Sequence, residues 1–497
     1  MNTSRLADKN KASLALLIIQ TFATLGFAIL YSTLILYTTD KLGFTDTQAT
    51  VIMGLFGAFN YGLHLLGGLL GGRLMSNRNL FIIGMLLQVI GCYFIANLGH
   101  DGLYWGLAFF LTGSGLNVTC INMMLTQHFT PDDPDRETAF LHNYAGMNLG
   151  FFIGFAVAGY YQNINDYRSL FMFATAGNFI ALITTLIFWR NLNDLCTPLL
   201  DKNKKQWLKN FGLGFSIILI LIPALKYLLI SADLSSDLIV ALSIIVAITF
   251  IVITFRHKII PERQKMWAYL ILTLGSLVFW SLYSMAPMGL ELFTSRNVDL
   301  HVADWIIAPQ WIQNINTVVI VVGGPLMAYW FKRLREKGID VDIPTQFSSS
   351  LISIGLGFLV LPLGIIYASN TGMVSFSWVA LSYVLQSIGE LLIAPIGYAM
   401  IGKLAPKQYQ GAMMGTWMLV SGLASIIAAA FSKMMPTVGP AIETNSGYQH
   451  VFFYLGVIAC IAGIILLLVT PKLRLLIGDV HANATEMEQN IEELREL

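Results

Sequence analysis

Charge is scarce in this sequence. Of its 497 residues only 11% are Asp, Glu, Lys or Arg, against the roughly one-quarter typical of soluble domains. That deficit argues against a chain whose whole surface meets water. The formal net charge is +1 and there is no basic stripe, which leaves no electrostatic case for nucleic acid as a partner. Cysteine is also sparse. Cys92, Cys120, Cys196 and Cys460 are scattered without a CxxC pair, three of them inside apolar runs, so free thiols are expected. No nucleophile elbow, HExxH, phosphate loop or metal-ligand cluster is present. An enzyme is therefore not expected, nor any cofactor or metal. The first apolar run is too long for a cleaved leader and lacks a small-residue cleavage site, so it reads as a retained helix.

What is abundant is apolar material, at 56% of the chain. It comes in runs that match the roughly 20 residues needed to cross a bilayer. Fourteen segments emerge: 12–38, 47–72, 80–98, 103–128, 139–161, 167–190, 208–230, 236–255, 264–293, 309–333, 347–368, 374–402, 411–435 and 449–470. Backbone polar groups in lipid must be satisfied within the segment, so each is expected to be a helix.

Lys and Arg test that count, because they accumulate on the cytoplasmic side. With the N-terminus inside, 24 of the 29 Lys and Arg fall in inside segments, and only Lys41, Arg168, Arg296 and Lys433 fall outside. Lys226 lies within a span. Both termini are thus expected in the cytoplasm. The expected fold class is an all-α membrane protein with two six-helix bundles plus two inserted helices, the organisation of the major facilitator fold. The expected divisions are 1–190 for the first bundle, 191–262 for a linker and the inserted pair, 263–475 for the second bundle, and 476–497 for a cytoplasmic tail. The inserted pair, 208–230 and 236–255, carries few polar side chains besides Lys226 and suits lipid-facing padding. The tail is acidic (Glu486, Glu488, Glu492, Glu493, Glu496) and reads as a solvated segment. The acidic stretch Thr130–Glu137 reads as a solvated, helix-capping loop rather than a metal site.

Several local patterns resemble the proton-dependent oligopeptide transporter family of the major facilitator superfamily. The stretch Asn143-Tyr144-Ala145-Gly146-Met147-Asn148-Leu149-Gly150 is similar to that family's FYxxINxG signature, with Asn143 in place of Phe. Gly389-Glu390-Leu391-Leu392-Ile393-Ala394-Pro395-Ile396-Gly397 resembles its GELxxSPxG element. Lys403-Leu404-Ala405-Pro406, Gly411–Trp417, Phe279-Trp280-Ser281-Leu282-Tyr283 and Gln313-Asn314-Ile315-Asn316 extend the likeness over essentially the whole chain.

The departures concern charge. The family's first-helix ExxER falls on Leu17-Ile18-Ile19-Gln20-Thr21, and a further Arg on Ala28. Its fourth-helix Lys falls on Val118, and the Glu-Gln after FWxxY on Ser284-Met285. The GGxxADR stretch survives as Gly67–Arg73 without its Asp. The resemblance implies a two-poled site, with Arg and Lys facing the solute carboxylate and a Glu facing its amine. This chain keeps the acid, Glu390, and lacks the cations.

An ionisable side chain within a span costs roughly 2.5–3.5 kcal/mol on insertion scales and is a functional candidate by default. Glu390 is expected to hold a solute amine and to carry a proton; the alternative is a carboxylate hydrogen-bonded to a neighbouring helix. Glu291 is a second proton-coupling candidate, with an interfacial residue reaching water or pairing with Arg296 as the alternative. His64, at a position where the family favours Pro, is the third, with a neutral core imidazole as the alternative. Tyr61, Tyr144, Asn148, Asn316 and Trp417 match positions that line the family's central cavity and join Glu390 as expected substrate-binding residues; each could also be helix packing. The expected function is secondary transport of di- and tripeptides or other amine-bearing solutes across a bacterial inner membrane, with small-molecule solute, protons and the lipid bilayer as partners and a monomer as the working unit. A one-poled site should favour blocked peptides, amino-acid amides or cationic amines. Uncoupled transport, export, and non-transporting solute sensing remain alternatives.

Overall fold

The computed structural model describes residues 2–129, 133, 135–302, 304–338 and 341–478, and within these the side chains of residues 2–8, 137 and 398 are left undescribed. The acidic tail beyond residue 478 and part of the 130–137 stretch lie outside the described residues.

The long helices are α1 (Asn2–Leu36), α2 (Asp46–Leu70), α3 (Asn77–Asn97), α4 (Gly99–His128), α5 (Arg136–Asn163), α6 (Tyr167–Ile187), α7 (Lys204–Ile230), α8 (Ala232–Arg256) and α9 (Ile260–Tyr283). After the short α10 (Gly289–Asn297) come α11 (Pro309–Glu336), α12 (Ile343–Ile366), α13 (Phe376–Leu404), α14 (Gln410–Ser432) and α15 (Ala441–Ile477). A π-helical turn (Tyr37–Lys41) and four two-residue strands complete the described elements, two of the strands forming a hairpin that pairs His301 with Ile306 and Val302 with Trp305. Thirteen of the helices are long and apolar enough to cross a membrane. The remaining expected span, α5, is a 28-residue helix whose polar residues dilute its apolar character. The chain is an all-α membrane protein.

One expected span is broken. The 264–293 run ends at Tyr283, and a turn precedes α10. Pro287 within that turn lacks an amide donor and disfavours helix at the residue before it, which ends α9 although hydropathy continues. Gly289 then donates its backbone N–H to Ser432 Oγ at 3.1 Å, seating α10 on the end of α14.

The chain clusters into two compact units. The first comprises Met1–Leu238, Met285–Thr317 and Ser425–Gly439; the second comprises Ile239–Ser284, Val318–Ala424 and Pro440–Leu497. In the first, glycines set the helix spacing. A Cβ built on Gly113 of α4 would lie 2.2 Å from the Gly84 carbonyl oxygen of α3. One built on Gly150 of α5 would lie 2.4 Å from the Thr21 carbonyl oxygen of α1. Lipid tails are as apolar as Leu, so helices in a membrane associate through such close backbone approach rather than hydrophobic burial. In the second unit α12 and α15 meet the same way, with a Gly355 Cβ falling 2.9 Å from the Gly456 carbonyl oxygen.

The stretch after α6 is docked rather than loose. Asn77 at the start of α3 donates its backbone N–H and side-chain amide to Asp194 at 3.1 and 3.0 Å. Leu199 donates its N–H to the Gly72 carbonyl at 3.0 Å, and the Arg78 guanidinium lies 3.5 Å from the Trp189 ring centre. Helix α7 continues the attachment. Asn210 Nδ2 donates to the Arg73 carbonyl at 3.3 Å, and Lys226 Nζ stands 4.2 Å from the Trp105 ring centre on α4. Lys226 is thus held against an aromatic face, while most of α7 and α8 remains exposed.

Candidate functional site

On α1 the positions of the missing ExxER charges form a neutral network. Gln20 is 7% exposed and its Nε2 donates to Thr24 Oγ1 at 2.9 Å, while the Thr21 hydroxyl donates to the Leu17 carbonyl. Gln20 has nearly the shape of a Glu without its charge, and one of its amide hydrogens is already used within the helix. Across from it, Gly146 and Gly150 let α5 lie directly on α1. Asn148, between those glycines, is 6% exposed and donates its Nδ2 to the Tyr144 carbonyl. Tyr144 itself is 47% exposed. Of this expected pair, one side chain is exposed and the other is buried against its own helix.

Helix α4 presents Val118, where the family has Lys, as an exposed side chain; Asn122 and Thr126 follow at successive four-residue steps and are exposed too. One face of α4 therefore stays open while the opposite face, with Gly113, Asn117 and Cys120, is buried. Beside that open face lies His64 of α2. Its carbonyl accepts the Thr119 hydroxyl at 2.9 Å, and its ring stands edge-on to Tyr61 at 6.0 Å.

Glu291 is buried and takes neither alternative foreseen for an interfacial acid. Gln313 of α11 donates its Nε2 to Glu291 Oε2 at 3.0 Å, and Oε1 has no partner among the described residues. Arg296 pairs with Asp46 instead, Nη2 donating to Oδ1 at 2.8 Å and Nη1 to Oδ2, with a further bond from Nη1 to the Thr437 carbonyl at 3.3 Å. The pair joins the last turn of α10 to the first residue of α2, so each charge complements its own helix end. Substituting Asp46 with Asn and Arg296 with Gln, singly and together, should lower the unfolding temperature non-additively, with a coupling of about 0.5–3 kcal/mol. Additive losses in a thermal-shift assay would show that the two charges do not act on each other. Asn316 of α11 is partly exposed.

In the second unit Glu390 sits in the middle of α13 and is partly exposed. Gly389 before it gives room to two neighbours, since a Cβ there would lie 2.9 Å from the Phe279 ring and 3.0 Å from the Ser350 carbonyl oxygen. The residue before Glu390 is thus where α13 runs close to α9 and α12. Trp417 of α14 is 3% exposed, and its indole lies on Gly397, whose Cβ would come within 2.1 Å of Cζ2. Its setting is packing between α13 and α14. Among the described residues no group of His, Cys, Asp and Glu could hold a metal ion.

Sequence reasoning missed three features of these units. Gln313 as the partner of Glu291 was within sight, since the Gln313–Asn316 stretch stood out, but nothing tied it to an acid across the intervening loop. The Arg296–Asp46 pair joins residues 250 positions apart. The docking of Asp194 had a weaker signal, an isolated acid in a polar stretch.

Thirteen helices long and apolar enough to cross a membrane, one of them carrying a carboxylate at its middle, define a polytopic membrane protein. The sequence profile of the POT family matches residues 78–447, and the chain belongs to that family. The dipeptide and tripeptide permease A of Enterobacter sp. (strain 638) is 28% identical over 496 residues, covering 96% of this chain and 95% of that protein. The permease of the same name from Escherichia coli (strain K12) is 27% identical, covering 95% and 94%. A crystal structure of peptide transporter POT in complex with sulfate superposes with a TM-score of 0.83 at 25% identity, covering 94% of this chain and 95% of that one. A POT family transporter in complex with 5-aminolevulinic acid has the same fold, with a TM-score of 0.81 at 24% identity and coverages of 93% and 96%.

Proposed function

We propose that this chain carries di- and tripeptides or other peptide-like, amine-bearing solutes across the bacterial inner membrane by alternating access. Both termini face the cytoplasm, the working unit is a monomer, and proton entry through Glu390 drives the cycle. The observation that carries the reading is the position of Glu390. An acid in mid-span is expensive to insert, and here it stands beside a glycine that brings two further helices close to it. A carboxylate so placed can alternate between a proton and a solute ammonium, because either neutralises its charge in a medium of low dielectric. Family membership and the dipeptide and tripeptide permeases among the relatives support peptides as the solute class.

Tyr61, Tyr144 and Asn316 are assigned polar contacts to the solute. Asn148 and Trp417 are assigned to the same solute through the backbone and walls that they fix. Glu291 is assigned a supporting role in proton movement, because burial with one unpaired oxygen suits a carboxyl group that takes up and yields a proton. With neutral residues at the ExxER positions and Val118 in place of Lys, a solute carboxylate finds little cationic help at neutral pH. The test is competition for uptake of labelled L-alanyl-L-alanine into proteoliposomes at pH 7.5. Its C-terminal amide should compete about tenfold better than the free dipeptide. Equal competition, or preference for the free acid, would reject the one-poled site, and no uptake of either would reject the transport reading.

A further inference from the structure

We propose that His64 supplies the missing cationic pole, receiving a solute carboxylate when its imidazole is protonated, so that the preference of this transporter between peptide acids and peptide amides is set by pH. The inference rests on the transport reading above and deepens it. Between residues 12 and 36 of α1, 47 and 70 of α2, and 102 and 127 of α4, His64 is the only side chain able to bear positive charge. It is next to the vacated position. Thr119, which donates its hydroxyl to the His64 carbonyl, directly follows Val118. The two helices are locked at this height, because a Cβ on Gly67 would fall 2.8 Å from the Gly115 carbonyl oxygen and one on Gly115 would fall 2.2 Å from Leu63 Cβ. The His64 backbone thus has a fixed station against α4, and its ring stands edge-on to Tyr61.

Its hydrogen bonding is incomplete. Nε2 is buried and has no partner among the described residues, although the residue as a whole is partly exposed. Leaving a buried ring nitrogen unpaired costs about 1–3 kcal/mol, which an apolar side chain at this position would avoid. A histidine kept there at that cost is explained by a second state in which both nitrogens are used. In the imidazolium both donate, and an imidazolium inside a span needs an anion to face it. Among the described interior residues of the neighbouring helices there is none. From its own helix His64 meets Tyr61, and α4 carries no charged side chain between Asp101 and His128. Helix α1 brings no charged side chain between Lys11 and its end, and α7 brings Lys204, Lys205, Lys209 and Lys226. The anion has to arrive with the solute, and a peptide C-terminal carboxylate is one.

The sign follows directly. Acidification populates the imidazolium, so affinity for a peptide acid rises as pH falls, whereas a peptide amide gains nothing from His64. The amide shares the amine and therefore reports whatever Glu390 contributes to the pH profile. Binding of L-alanyl-L-alanine and of its C-terminal amide to the purified full chain should be measured by calorimetry at pH 8 and pH 5.5, for the wild type, His64→Gln and His64→Lys. In the wild type the ratio of dipeptide to amide affinity should rise about tenfold on acidification. His64→Gln should hold the ratio at its pH 8 value, and His64→Lys should raise it at both pH values. A His64→Gln protein that keeps the wild-type rise overturns the proposal, as does a wild type that binds both solutes with an unchanged ratio. If His64→Gln binds neither solute, His64→Lys decides alone: a ratio still dependent on pH overturns the proposal. Failure of the wild type to bind either solute overturns the transport reading itself, and this inference with it.

Discussion

Replacing Glu390 with Gln should abolish solute-driven proton movement while leaving a folded protein that still inserts. Gln preserves the side chain's size and its capacity to hydrogen-bond, so the close approach of α13 to α9 and α12 at Gly389 is undisturbed. What is lost is the ability to exchange a proton for an ammonium. Loss of a charge-assisted hydrogen bond of about 1.5–3 kcal/mol predicts roughly a tenfold to hundredfold weaker affinity for amine-bearing solutes. Proton flux should fall to the level of empty liposomes. Thermal unfolding within a few degrees of the wild type would show that the fold is intact. A Glu390→Gln protein that still couples solute to proton movement would move the carrier elsewhere, with Glu291 next in line.

The second large effect is structural. Gly113→Val should yield no stable protein, because its Cβ would be placed 2.2 Å from the Gly84 carbonyl oxygen and near the Gln88 backbone amide. Overpacking of flexible side chains costs about 1–3 kcal/mol. Here the obstacle is backbone, so the two helices must separate along their shared face, and the loss exceeds that range. Gly62→Ala serves as the control. Nothing stands within 4 Å of a Cβ there, and Ala is favoured over Gly in a helix by up to about 1 kcal/mol. Size-exclusion profiles of the two variants in detergent should differ completely. A monodisperse Gly113→Val protein would show that α3 and α4 do not depend on this approach.

How much of this was legible in the sequence depends on which property each residue expresses. Span number follows from apolar run length, a one-dimensional property, and thirteen apolar helices together with α5 match the fourteen expected segments. The break after Tyr283 was hidden because Met285, Ala286 and Met288 keep the run apolar; Pro287 and Gly289 were the available signals. Glu291 was recognised as an acid out of place, yet its setting depends on Gln313 arriving from the next helix. Which way a residue faces is the part that composition conceals. Tyr144 and Trp417 look equally suited to line a cavity, but Tyr144 is exposed while Trp417 is buried against Gly397. The stretch 191–203 reads as a linker by polarity, and only the partners of Asp194 and Leu199 reveal it as a brace on the turn between α2 and α3.

The central claim is that a chain without the ExxER charges still couples solute to proton movement through Glu390. The most direct measurement is internal acidification of proteoliposomes holding a pH-sensitive dye, under an inward-negative potential, on addition of L-alanyl-L-alanine, its amide or a simple cationic amine. Acidification is expected with the amide at neutral pH and with the dipeptide as the external medium is made acidic, and with neither for Glu390→Gln. Solute binding without any proton movement in the wild type would contradict it and leave an uncoupled carrier or a sensor on the same fold.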